Sequence, residues 1–311
     1  MRQKGVITII IIAAAMLFGC STTAKLDERL VYKQRYFFRT GADYYSRIDL
    51  QALRPLVRGL VKDLPMSQRL QVQMIAERTN RIFAYRIGIR LYSFLEGSFP
   101  KGIIDNLLTH HPEWLPLGED IDGFRHYSAN LEIGLPETNI VYATTESLRA
   151  AYGAPVLPIE NVLPAYVIAA MQKRPFVIYY PHGNPIFIKD NSEFTSLPDF
   201  ELLLTMLPLE SKLYRIDAEF TVLNPANAGG FSAQLQSVID WYKTYYVEWA
   251  PMLDALTMNV QGKKIIFSGV YSQEDMISLS ADVVRIAVTN LENNRYITDP
   301  VQEVTPHGSP K

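Results

Sequence analysis

"KLYRIDAEFTVL" (212–223) alternates apolar and polar side chains as a half-buried strand does. The elements after this strand set the fold. Residues 231–245 carry Leu235, Val238, Ile239 and Tyr242 on one face of a helix. Residues 255–260 and 264–271 read as hairpin strands around Gln261-Gly262. Ser272, with Asp275 three residues on, opens a further helix to about residue 291 as a variant capping box.

The order βαββα also occurs earlier in the chain at a similar spacing. Residues 82–96 read as a strand and 102–108 as a helix. Residues 123–135 and 139–145 read as a hairpin around Pro136-Glu137, and 146–152 as a helix stopped by Gly153. The expected fold class is α+β, a degenerate duplication of a βαββα unit whose antiparallel hairpins are covered by helices, plus an N-terminal helical segment.

The two units are placed at 81–155 and 211–298. The connecting segment, 156–210, reads as a helix over 162–173, a strand ending "FVIYYPHGNPIFI", and a helix near 198–206. Residues 34–80 form a basic helical segment. Within it, 35–50 is a candidate first strand or extended arm, 53–64 an amphipathic helix ended by Pro65, and Ser67 an N-cap for the next helix. The Pro-rich tail, 299–311, reads as disordered.

The N-terminus gives an address. Met1-Arg2-Gln3-Lys4-Gly5 is basic, and residues 6–18 are uncharged, the length of a signal-peptide core and too short for a transmembrane helix. Leu17-Phe18-Gly19-Cys20 then ends the run with the single cysteine of the chain. This segment resembles the lipobox signal of bacterial lipoproteins, with Phe18 bulkier than the usual occupant. The resemblance covers only the first 22 residues. It implies cleavage after residue 19, lipidation and acylation of Cys20 (a palmitate-class anchor), and a lipidated tether over 20–33. Ser21 in place of Asp implies sorting to the outer membrane, on its periplasmic or its surface face. No disulfide can form within a chain that has one cysteine.

The formal charge of −2 hides an asymmetry. From Lys25 to Arg90 there are 14 Lys and Arg against 6 Asp and Glu, and from Leu91 onward 14 against 26. The basic part either faces anionic headgroups or another acidic surface, or is neutralised by the acidic part within the fold. Nucleic acid is excluded as a partner for an exported chain with so acidic a distal part.

No motif carries catalysis. There is no G-x-S-x-G, G-x-G-x-x-G or G-K-[ST]. The pair His110-His111 lacks metal-ligand spacing and suits a helix C-terminus. "GEDIDGF" (118–124) is a fragment of a calcium loop without its remaining ligands, and reads as an acidic turn. "NPANAGGF" (224–231) puts two glycines before a helix, as a turn into it. No cofactor, metal or catalytic residue is expected.

The contact candidates are His182 and Asn184, at the tip of a turn in "YYPHGNP", together with Trp241, Tyr245 and Trp249. The last three share one face of a helix at i, i+4 and i+8 and form an aromatic ridge for protein, glycan or headgroup contact. Three functions fit: an outer-membrane-anchored lipoprotein binding an envelope protein or cell-wall partner without catalysis, a lipid- or small-molecule-binding lipoprotein with an internal apolar cavity, or an envelope-polymer hydrolase.

Overall fold

The computed structural model describes residues 38–62, 66, 69, 73, 76–118, 121–127, 130–137, 139–154, 157–183 and 198–278. The signal segment with Cys20, the tether, Ser67 and the tail lie outside the described residues, as do Asn184, Glu119, Asp120 and the end of the last helix.

The fold is α+β. Among the described residues twelve strands form one sheet, every neighbouring pair antiparallel: β1 (Tyr44–Asp49), β2 (Thr79–Ile87), β3 (Arg90–Gly97), β4 (Trp114–Pro116), β5 (Gly123–His126), β6 (Glu132–Glu137), β7 (Ile140–Thr144), β8 (Phe176–Tyr180), β9 (Phe200–Pro208), β10 (Leu213–Val222), β11 (Thr257–Gln261) and β12 (Lys264–Ser272). The spatial order is β11-β12-β10-β9-β8-β1-β2-β3-β7-β6-β5-β4. Counted outward from the β8–β1 junction, one side runs β8, β9, β10, β12, β11 and the other β1, β2, β3, β7, β6. The two halves therefore follow one path, and β4–β5 extends the first.

Helices α1 (Arg54–Leu60), α2 (Lys101–Thr109) and α5 (Ala228–Tyr245) lie on what we call the front of the sheet, and α3 (Leu148–Gly153) and α4 (Ala165–Lys173) on the back. Short α6 (Ala250–Asp254) comes after α5. The candidate strand within the basic segment is β1, at the centre of the sheet.

Four sequence expectations are corrected. The strand over 82–96 is the β2–β3 hairpin, turning at Gly88-Ile89 with Gly88 at φ 58°. A fifteen-residue strand would far exceed the usual length, and one glycine in an apolar run makes the reversal. The helix near 198–206 is strand β9, which lies between β8 and β10 and buries Leu202 on one face and Thr205 on the other. A Leu-rich run carries no period to separate helix from buried strand.

Residues 123–135 hold parts of two strands, and the β6–β7 turn falls at Asn139 (φ 75°), one turn later than Pro136-Glu137, which end β6 at a bulge. Gly229 and Gly230 lie inside the first turn of α5, not before it.

Across the back, Tyr179, Tyr45, Tyr85 and Tyr92 stand directly opposite one another on four adjacent strands. The Tyr85 and Tyr92 rings stack at 4.7 Å. Leu148, Val167 and Met171 of α3 and α4 cover them. At the end of the row the Tyr92 hydroxyl donates to Glu146 (2.8 Å), and Arg39 pairs with the same carboxylate oxygen at 3.2 Å.

On the front of the first half, Ile104 and Leu108 of α2 are fully buried against Phe99, Trp114, Phe124, Leu135 and Val141. Ser272 and Asp275 form the expected capping box: the Ser272 hydroxyl donates to Asp275 at 2.7 Å, and the Asp275 amide donates back at 3.1 Å.

Candidate functional site: an apolar cavity beneath helix α5

The alternation of β10 puts Tyr214, Ile216, Ala218 and Phe220 on the front, with Arg215, Asp217 and Glu219 behind. There Arg215 pairs with Asp217 at 2.8 Å and Lys264 pairs with Glu219. On β12 the front positions opposite them are Ile265, Phe267, Gly269 and Tyr271. Two of these eight, Ala218 and Gly269, are small, and Ala218 opens a recess among large neighbours. The space over Gly269 is taken by the next front residue: a Cβ there would meet the Tyr271 hydroxyl at 2.3 Å, so the tyrosine covers the glycine and itself lines the recess.

Helix α5 roofs the recess. Its N-terminal half closes on the sheet through Phe231, whose ring lies 4.9 Å from Phe200 and 6.0 Å from Phe220. Beyond it Leu235, Val238 and Ile239 stand over a cavity of about 260 Å³. The far wall is Trp249, Met252, Leu253 and Leu256, supplied by the 3-10 turn Val247–Trp249, α6 and the residues after it. Two bonds hold that wall: Lys243 pairs with Asp254 at 2.6 Å, and the Tyr271 hydroxyl donates to the Met252 carbonyl at 3.0 Å. Burial, with Asp275 nearby, pushes the Tyr271 phenol up to about 12, so it is a neutral donor at ordinary pH. Of the twelve lining residues only Trp249 and Tyr271 carry a polar side-chain atom. The lining is thus hydrocarbon in character.

The aromatic candidates gather at this cavity, with a correction. α5 ends at Tyr245, so Trp249 is not its third turn. The chain folds back and brings Trp249 within 5.0 Å of Tyr246 and 6.1 Å of Tyr242, ring to ring, while Trp241 meets Tyr245 at 4.5 Å. The five rings form a cluster on the wall rather than a stripe. Trp249 faces the cavity, Trp241 is half-buried, and Tyr245 and Val247 are 66% and 71% exposed.

His182 stands apart from them. It is exposed in the turn after β8, where the Gly183 amide donates to the Phe200 carbonyl at 2.8 Å. That is the Phe231 end of α5, roughly 20 Å along the helix from Tyr245.

Two polar motifs singled out in the sequence have structural partners. His110 Nδ1 lies 2.7 Å from the Asn106 carbonyl at the end of α2, and Asp122 pairs with Lys101. Among the described residues no three His, Cys, Asp or Glu are grouped to hold a metal ion, and no helix is long and apolar enough to cross a membrane. Sequence reasoning missed Ala218, Gly269 and the 247–256 wall. Their signal was a small residue, Ala218, at a front-facing strand position opposite a long apolar helix, and a glycine that lets Tyr271 lie over it.

This is an α+β protein with one antiparallel sheet and a hydrocarbon-lined cavity. No family model and no curated protein matches it. Among solved structures it is similar to TP0453 in its crystal forms IV, III and I, with TM-scores of 0.55, 0.55 and 0.54. Each is 15% identical over 78% of this chain, covering 94%, 95% and 94% of the other. That likeness is one of fold.

Proposed function

We propose that the chain is a non-enzymatic lipoprotein, anchored in the bacterial outer membrane through Cys20, that binds one acyl chain or a comparably slim hydrocarbon beneath α5. The cavity carries this reading. At about 260 Å³ it exceeds the roughly 150 Å³ that admits benzene, so it takes part of a single chain and not a whole diacyl lipid. A hydrocarbon occupant would supply the packing contacts that the apolar lining lacks on its cavity side. The aromatic wall, with Tyr245 and Val247 outward, is the entry, an arrangement suited to headgroups or to an envelope or cell-wall partner that hands over the ligand.

The test is titration with a fluorescent polyene fatty acid, comparing the wild type with Ala218→Trp, which places an indole in the recess. Saturable binding that weakens about tenfold or more (about 1.4 kcal/mol) in the variant supports the reading. Equal binding by both proteins contradicts it.

A further inference from the structure

The two edges of the sheet are built differently. At one end β4 has three residues, buries Trp114 and finishes on Pro116, which lacks an N–H. At the other end β11, "TMNVQ", is exposed along its whole length and carries no charge, proline or glycine.

Its free hydrogen-bonding positions are fixed by one bond. The Val222 amide donates to the Lys263 carbonyl at 2.9 Å. Alternation along β12 then turns the backbone groups of 263, 265 and 267 toward β10 and those of 264, 266 and 268 toward β11. The β11 partners of the latter are Gln261, Asn259 and Thr257. Met258 and Val260 therefore aim their N–H and C=O groups away from the sheet.

We propose that β11 pairs antiparallel with β11 of a second copy of this chain, about a two-fold axis at Asn259. In that register each Met258 stands opposite Val260 of the other copy, and the two pairs exchange four backbone hydrogen bonds. The side chains of Met258 and Val260 are 40% and 44% exposed, on the same face as Phe267 and Ile265. Their meeting continues the apolar front of the sheet across the junction. Thr257 meets Gln261 behind, and no like charges oppose each other. One segment serves both sides of the contact, as a closed two-fold interface requires. This makes a second copy a better fit than an unrelated peptide.

Asn259 meets its own equivalent at a non-hydrogen-bonded position, where facing Cα atoms lie about 4.5 Å apart, within reach of a disulfide. Thr257→Cys, Met258→Cys, Asn259→Cys, Val260→Cys and Gln261→Cys are made singly in the full chain, with Cys20 common to all, and oxidised in their own membranes. Asn259→Cys is expected to give most of the covalent dimer, several-fold more than any other position. Val260→Pro added to it removes an outward N–H without touching the β12 ladder, and is expected to abolish the link. Equal linkage at all five positions, no linkage at 259, or a link from 259 to a different protein by mass would each overturn the proposal.

Discussion

The two halves of the sheet share a strand path and carry a helix at the same point of it, yet the fronts beneath those helices differ. In the first half the nine-residue α2 puts Ile104 and Leu108 against large side chains and fills its space. In the second half the eighteen-residue α5 closes tightly only at Phe231, then spans a recess floored by Ala218 and walled by the 247–256 segment. One architecture thus yields a packed core or an apolar cavity according to helix length and one small strand residue, Ala218.

The largest effect that tests this contrast is truncation. Ile104→Ala in the packed half should cost about 2–5 kcal/mol. Leu235→Ala should cost about half as much, because that side chain already lacks packing partners on its cavity side. Denaturant unfolding of the two variants measures both, and equal losses would remove the distinction.

Filling sharpens the comparison further, because its sign should change. Ala143→Leu adds bulk beside the packed first-half cluster and should destabilise by about 1–3 kcal/mol. Ala218→Leu should stabilise the ligand-free protein by about 1 kcal/mol, toward the transfer value of the added methylenes, while weakening hydrocarbon binding.

Alkali addresses the cavity wall. The folded pKa of Tyr271, about 12, lies above the ordinary phenol value of 10.0, so its neutral form is favoured by folding. Its contribution is fully present below pH 10 and is lost as pH rises from 10 through 12. Other tyrosines whose pKa is raised, among them Tyr85, Tyr142, Tyr152, Tyr166 and Tyr179, add to the fall in stability over that window. Tyr271→Phe should make that fall shallower by one phenol's share. It also frees the Met252 carbonyl, so hydrogen exchange in α6 should quicken.

The smallest change expected in stability is at the entry. Tyr245→Ala should leave it within about 0.5 kcal/mol and slow ligand uptake, read by stopped-flow fluorescence.

The share of the fold that is legible in the sequence differs along the chain. From β10 onward the chain can be read nearly element by element, because its strands alternate, its helix is amphipathic and Ser272–Asp275 marks a boundary. The β2–β3 and β9 segments cannot, because both are nearly continuous apolar runs whose state depends on neighbours far away in sequence. The aromatic residues stand out as a group, but not in their true geometry: periodicity extends a helix indefinitely, and only the turn at Tyr246 (φ −124°, ψ 74°) ends this one. The cavity itself is one of three functions the sequence allows. Nothing local announces that Ala218 and Tyr271, far apart in sequence, face one roof.

The most direct measurement is native mass spectrometry of the chain isolated gently from its own cells, beside Ala218→Trp prepared identically. A hydrocarbon held beneath α5 predicts extra mass on the wild type, in the range of a fatty acid or single-chain lipid, lost on denaturation and absent from the variant. A bare wild-type mass, or the same adduct on both proteins, would contradict it.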